Sequence, residues 1–273
     1  MRQSIAICSG KGGVGKTTLA LNLGLALSQL GYPTTILETD PLGSLRASLN
    51  KPEVMERGLA DILLENAKLE EVLVETRAEG LSILPAGKLD TGRFHAFEEA
   101  IRSSSRMTTL ISSLHEEGRA IVLIDSPAGF ASAVQGSLKV ADSVIIPLHA
   151  EPLALRLLES ILQGIETVRA AFNPKLRLLG IVMMMLQRKS RSSLEVLTSA
   201  WGALDPEAVF ETVIPRREEY LEASLRGVPV AFLGSRLRPE ERRFQLLARE
   251  ILDRIPTGSR EENEDTDTFH TLL

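Results

Sequence analysis

The sequence predicts an α/β fold, a mostly parallel sheet with helices on both faces, and three features carry that prediction. An apolar run, Ile5 to Cys8, leads into a glycine-rich stretch, Ser9 to Thr18, which leads out into leucines at helical spacing. A second apolar run, from Ala120 to Ile124, ends in Asp125. Strand-like and helix-like segments then alternate along nearly the whole chain, the pattern of βαβ units. In such sheets ligands sit at the carboxyl ends of the strands, where Gly10, Asp40 and Asp125 all fall.

The stretch SGKGGVGKTT is the strongest chemical signal. Gly10 and Gly15, separated by four residues and followed by Lys16 and Thr17, fit the phosphate-loop pattern. The glycines let successive backbone N–H groups turn inward around phosphate oxygens. Lys16 can reach the outer phosphates, and the Thr17 hydroxyl can ligate Mg²⁺. The nucleotide-binding candidates are therefore Gly10, Lys11, Gly12, Gly13, Val14, Gly15, Lys16, Thr17 and Thr18. The helix that follows carries Leu19, Leu23, Leu27 and Leu30, so the phosphates would lie at a helix N-terminus.

Composition bounds the rest. With 273 residues and 44% hydrophobic content, the chain can bury one substantial core, and residues 1–256 are expected to form a single domain. The net charge of −5 argues against wholesale coating of nucleic acid but leaves room for a local basic face. One cysteine, Cys8, excludes an intramolecular disulfide and a cysteine-only metal cage. No signal-like block opens the chain and no apolar run reaches membrane-spanning length, so a cytoplasmic location is expected. Residues 257–273, acidic and poor in apolar side chains, are expected to be a disordered tail.

Taken in order, Gly31 and Pro33 stop the first helix, and Thr34 to Glu38 is a β-branched second strand ending at Glu38, Asp40 and Pro41. Residues 58–74 carry apolar positions at mixed helical spacing, and Gly80 to Ala86 is a third strand. From Phe97 to Leu114 the positions Met107, Leu110, Ile111 and Leu114 fit one face of an amphipathic helix. Within Ala120 to Gly129, four apolar residues run up to Asp125, as a buried parallel strand ending in a metal-facing carboxylate. A further strand, a helix through Leu158, Ile161, Ile165 and Val168, and a strand holding Met183 to Met185 follow, with the methionines as core. Late in the chain arginines and glutamates interleave.

The string KGGVGKTT, with Lys11 directly after the first glycine, resembles the deviant Walker A motif of the ParA/MinD family, which has a P-loop NTPase fold. The DSPAG after the second apolar run is similar to the MinD branch. ADSVIIPLHAEPLAL and TVIPRREEYLEASLRGVPV resemble ParA/Soj-type partition and positioning ATPases, and the likeness runs from about Ser4 to about Ile255. The resemblance implies ATP and Mg²⁺ as cofactors. It implies that Lys11 crosses a dimer interface to the partner's phosphates, and that Asp40 orients the attacking water. Lys11, Lys16 and Asp40 are thus the catalytic candidates, and Thr17, Glu38 and Asp125 the metal candidates. Glu38 replaces the family's first Asp, Leu42 its Gln, Gln187 an Asp, and Arg217 an Asn near the base, where Pro215 and Arg216 match.

The resemblance further implies an ATP-dependent homodimer that binds nonspecific DNA on the nucleoid and positions a cargo. A cargo-adaptor protein would stimulate its slow hydrolysis. Lys189 and Arg216 fall where relatives carry DNA-contacting basic residues, and Arg236, Arg238, Arg242 and Arg243 extend that set. Two alternatives stay open. One is a MinD-like regulator at the membrane, which the acidic tail opposes because MinD proteins end in a basic amphipathic helix. The other is an accessory ATPase of a secretion or polysaccharide machine without DNA binding.

Overall fold

The computed structural model describes residues 1–50, 52–234 and 238–256. Eight strands form one sheet: β1 (Gln3–Ser9), β2 (Thr34–Glu38), β3 (Val74–Glu75), β4 (Leu81–Leu84), β5 (Ile121–Ala128), β6 (Ser143–His149), β7 (Arg177–Leu186) and β8 (Ile214–Pro215). Their order is β3-β4-β2-β5-β1-β6-β7-β8, and every pairing is parallel except β3 with β4. The expected mostly parallel sheet is therefore present. Its central strands are buried on both sides, which is why Ile5–Cys8 and Ile121–Ile124 read as unbroken apolar runs rather than alternating ones.

Ten α-helices among the described residues cover the two faces. One face carries α3 (Leu59–Glu65), α4 (Thr91–Ser103), α5 (Ser105–Glu116), α6 (Ser132–Val140), α7 (Pro152–Ala171) and α8 (Arg191–Ala203), with Leu59, Phe97, Met107, Val134, Leu158 and Val196 in its core. The other carries α1 (Lys16–Gln29), α2 (Ser44–Ser48), α9 (Glu218–Arg226) and α10 (Pro239–Arg254), with Leu23, Leu45, Ala223 and Phe244 in its core. None of these helices is long and apolar enough to cross a membrane.

Helix α1 is buried nearly all round. Leu21 and Leu25 are as enclosed as Leu19, Leu23 and Leu27, because the sheet lies on one side and α10 on the other. Even its polar Asn22 is used inward, accepting a hydrogen bond from the Val230 N–H at 2.9 Å. The helix that carries the phosphate loop is thus clamped on both sides, and the loop at its start inherits that rigidity.

Two local expectations are corrected. The single helix expected over Phe97–Leu114 is two, α4 and α5, broken at Ser104, whose φ of 60° is left-handed. Hydrophobic periodicity survives such a break because the same layer receives both helices. Residues 58–74, with their mixed spacing, hold α3, a 3₁₀ turn at Leu69–Glu71 and the start of β3. β5 continues three residues past Asp125, to Ala128. Residues 257–273 and Arg236 lie outside the described residues.

Phe244 tests how far α10 belongs to the core, since it is buried against Tyr220 at 5.9 Å between ring centroids. Phe244→Ala is expected to cost about 3–5 kcal/mol in urea unfolding. A loss under about 1 kcal/mol would mean that α10 is not part of the cooperative unit.

Candidate nucleotide site

The loop joining β1 to α1 turns back on itself at two left-handed glycines, Gly13 (φ 74°) and Gly15 (φ 92°). At Gly15 the left-handed backbone is what calls for glycine; a Cβ there would meet only the flexible Met184 Cε, at 3.2 Å. The N-terminus of α1 has no side-chain cap and no acidic residue in its first turn. Its orphan N–H groups and the positive end of its dipole are therefore left to an outside anion. Lys16 is buried at this point. Its Nζ donates to the Ser9 Oγ at 3.1 Å, and the Ser9 Oγ donates to the Lys11 carbonyl at 2.9 Å, which ties the two ends of the loop together. Burial lowers the Lys16 pKa, against the pull of Asp125 and Asp40. Those two carboxylates thus lie within electrostatic reach of the loop lysine.

Beside the loop runs a chain of four side chains. The Thr17 Oγ1 donates to the Asp125 Oδ2 at 2.8 Å and lies 3.0 Å from the Ser44 Oγ, which in turn donates to the Glu38 Oε1 at 3.3 Å. Three contacts share two hydroxyl hydrogens. If Thr17 and Ser44 donate to the two carboxyl groups, their own contact has no hydrogen between them; one carboxyl proton would complete the chain. The ionisation of both acids agrees. Burial pushes Asp125 up to about 7, with Thr17 and Lys16 pulling the other way. Burial pushes Glu38 up to about 7 as well, with the Ala86 and Leu45 N–H groups opposing.

A divalent cation fits this arrangement. The Asp125 Oδ1 is buried without a hydrogen-bond partner, which is costly unless a ligand or its water fills the place. The available donors, Thr17 Oγ1 and Asp125, are all oxygen, as a hard cation requires. Among the described residues no group of three His, Cys, Asp or Glu side chains forms a metal cage. Mg²⁺ characteristically takes one or two protein ligands and completes its shell with phosphate and water, so Thr17 and Asp125 would suffice to hold it. Glu38 stands further back than the sequence suggested. Its carboxylate accepts the Leu45 N–H at 2.6 Å and the Ala86 N–H at 3.0 Å, and Ser44 stands between it and Thr17. Ser44 was not legible as a site residue, because a lone serine opening a short helix carries no pattern.

Asp40 occupies the turn after β2. Its Oδ1 accepts the Leu42 N–H at 3.0 Å, and its carbonyl accepts the Gly43 N–H at 3.0 Å. The Leu42 side chain, in place of the family's amide, is 77% exposed. On the opposite rim, the Lys11 Nζ pairs with the Glu151 Oε2 at 3.0 Å, with side-chain exposures of 40% and 44%. The His149 Nδ1 lies 3.4 Å from the same oxygen. Burial lowers the His149 pKa and favours the neutral ring, while the hydrogen bond from Lys11 lowers that of Glu151. Sequence reasoning missed both residues, although they sit just past the carboxyl end of an apolar strand.

The three base-side candidates separate. Pro215 ends β8, and the Arg216 N–H donates to the Leu186 carbonyl at 3.0 Å. Arg216 acts electrostatically on His149 and Glu151, so it shares the Lys11 rim. Arg217 instead faces Glu240 of α10 at 3.8 Å. Of the DNA candidates, Lys189 precedes α8 on one face of the sheet, whereas Arg238, Arg242 and Arg243 lie at the start of α10 on the other.

A buried Lys16 on a two-glycine turn, an unopposed helix N-terminus, and Thr17 on an aspartate at the end of a parallel strand define a phosphate-loop nucleotide-binding protein; Lys11 marks its deviant Walker A class. A family model described as AAA domain matches residues 2–178. The chain is 31% identical to the chromosome partitioning protein ParA of Caulobacter vibrioides, over 92% of this chain and 94% of that one. It is 33% identical to the chromosome-partitioning ATPase Soj of Thermus thermophilus, over 92% and 96%. Among solved structures, the septum site-determining protein MinD of Pyrococcus horikoshii, complexed with Mg-ADP, superposes with a TM-score of 0.70 at 25% identity, over 92% of this chain and 96% of that one. The chain belongs to the ParA/MinD family of ATPases.

The raised carboxyl pKa values set a pH dependence. Between the unfolded values, 3.8 for Asp125 and 4.5 for Glu38, and the folded values near 7, the folded protein holds protons that the unfolded chain has released. Their contribution to stability therefore falls as pH rises through that window and levels off above it. In Mg²⁺-free buffer, the melting temperature of wild type relative to Asp125→Asn should drop between pH 5 and pH 8. A relative rise over that range would refute the buried, proton-holding pair.

Proposed function

We propose that this chain is a ParA-type ATPase: ATP joins two copies into a dimer, the dimer binds DNA without regard to sequence, and a cargo-bound adaptor protein stimulates a slow hydrolysis that ends the cycle. The observation that carries this reading is the direction of Lys11. It springs from the phosphate loop yet pairs with Glu151 on the rim, while Lys16 alone turns into the loop. A half-exposed pair of this kind is worth about 0–1 kcal/mol. A phosphate group of a second copy, with far more negative charge, would draw Lys11 away at little cost.

In this reading Gly10 to Thr18 cradle the phosphates, Lys16 neutralises them from within, and Thr17 and Asp125 hold Mg²⁺. When bound, the cation supplies positive charge where negative charge grows on the transferring phosphoryl group. Asp40 accepts a hydrogen bond from the attacking water and orients it. Hydrolysis is slow in the isolated protein because Asp40 orients the water without being a strong base, and the raised carboxyl groups of Asp125 and Glu38 are taken up by Thr17, Ser44 and the Leu45 and Ala86 amides, so a partner must improve the geometry. Arg216 on the Lys11 rim supports a role beside the base or at the interface.

DNA binding rests on Arg216, Arg238, Arg242 and Arg243, for which no ion pair is seen among the described residues, although Glu218, Glu219 and Glu241 interleave with them. A monomer at net −5 holds a polyanion poorly. Two aligned copies of the cluster would double the phosphate contacts, so affinity should appear with dimerisation. Its location in the cell would then be the nucleoid.

Two experiments test this. Lys11→Ala should keep most of its affinity for ATP yet remain monomeric by light scattering with a nonhydrolysable analogue; equal dimerisation by the variant would sink the shared-site dimer. Electrophoretic shifts on two unrelated duplexes should require the analogue. They should weaken with salt at a log–log slope of about −0.9 per phosphate neutralised. Removing Arg242 from both subunits should shallow that slope by about two units and affect both duplexes alike. Absence of any shift at low salt would favour the membrane-regulator or accessory-ATPase readings.

A further inference from the structure

We propose that Glu38 is a positioning residue: its carboxylate staples the Asp40 turn to the end of the neighbouring strand β4 and links that turn to Thr17, instead of serving the metal shell. The effect on turnover rests on the reading of Asp40 given above; the staple itself does not.

The geometry is that of a bridge between three segments. Glu38 is fully buried at the last position of β2. Its Oε1 takes the Leu45 N–H at 2.6 Å and the Ser44 hydroxyl at 3.3 Å, while its Oε2 takes the Ala86 N–H at 3.0 Å. Leu45 lies in α2, a helix of five residues, too short to hold its own conformation. α2 is held by its buried Leu45 side chain, by this carboxylate, by the Ser44 contact with Thr17 and by the Arg46–Glu56 ion pair, and of these the carboxylate is the one that reaches the end of β4. The turn carrying Asp40 spans the gap between Glu38 and Ser44, so anchoring α2 sets where Asp40 can point. Ala86 is itself locked in place, because its carbonyl accepts the Ala60 N–H at 3.1 Å and the preceding Pro85 carbonyl accepts the Leu59 N–H at 2.7 Å. One oxygen thus holds the moving candidate and the other holds a fixed point.

Side-chain length decides the residue type. An aspartate at position 38 is one methylene, about 1.5 Å, shorter and could not keep both amides at hydrogen-bond distance. Glutamine has the length, but its NH₂ group would meet one of two N–H donors. Only an ionised or singly protonated glutamate meets both. The chain Asp125, Thr17, Ser44, Glu38 then places the staple one hydroxyl away from the residue that receives the nucleotide.

The test begins with the wild-type protein free of nucleotide and Mg²⁺. Hydrogen exchange should show the Leu45 and Ala86 amides protected; exchange at the rate of an open loop at either amide would overturn the proposal without any variant. In Glu38→Gln and Glu38→Asp at least one of these amides should lose its protection. Turnover in both variants should fall on the order of 10- to 100-fold through misplacement of Asp40. ATP affinity and the Mg²⁺ concentration for half-maximal ATP binding should stay within about threefold of wild type. A Mg²⁺ requirement that rises in step with the loss of turnover would make Glu38 a member of the metal shell and end the proposal. Unchanged turnover in Asp40→Ala would refute the role of Asp40, whereas the exchange result would still decide whether Glu38 holds its turn.

Discussion

Two carboxyl groups standing side by side with almost no access to water are the constraint that the site is built around. Glu38 and Asp125 are register partners on adjacent parallel strands, and each is at most 1% exposed. Burying two like charges so close is unfavourable unless something compensates. Here the compensation comes from every direction: Lys16 from the loop, Thr17 from the first turn of α1, Ser44 and the Leu45 amide from α2, and the Ala86 amide from the end of β4. α1, α2 and the end of β4 each send at least one hydrogen-bond donor to this pair, and Lys16 adds its charge. Removing the sheet register would therefore undo the site, because only the alignment of β2 with β5 brings the two acids together.

The loop shows the complementary arrangement. Its amides and the α1 N-terminus concentrate positive character with no side-chain anion to absorb it. Directly beside it lies an orphan carboxylate oxygen. Unmet donors at the helix start and an unmet acceptor on the neighbouring Asp125 suit an anion and a cation bound together. Neither alone would satisfy both halves.

Much of this was legible in the sequence, and the reason is chemical. A phosphate loop needs particular residues at fixed spacing within one stretch, so Ser9 to Thr18 announces itself, and an aspartate closing a run of buried β residues does nearly the same for Asp125. The family resemblance added a meaning for Lys11 and Asp40 that spacing cannot supply. What stayed hidden depends on contacts between distant segments. Ser44 matters because β2 and α1 bring it beside Thr17, and Glu151 matters because β6 ends next to the loop. The break at Ser104 was hidden for another reason: a two-helix corner that keeps one buried face has the same apolar pattern as a single helix.

The two margins of the sheet are closed by strands of two residues, β3 and β8. β3 runs against the direction of its neighbours and ends in Glu75, while β8 ends in Pro215, which has no N–H to offer. Long bare margins invite other chains to add themselves by backbone pairing, at any time and with little regard for identity. Among the described residues both margins end in such short strands, which leaves little backbone template on which copies of this protein could stack. Contact between copies is then left to side-chain surfaces.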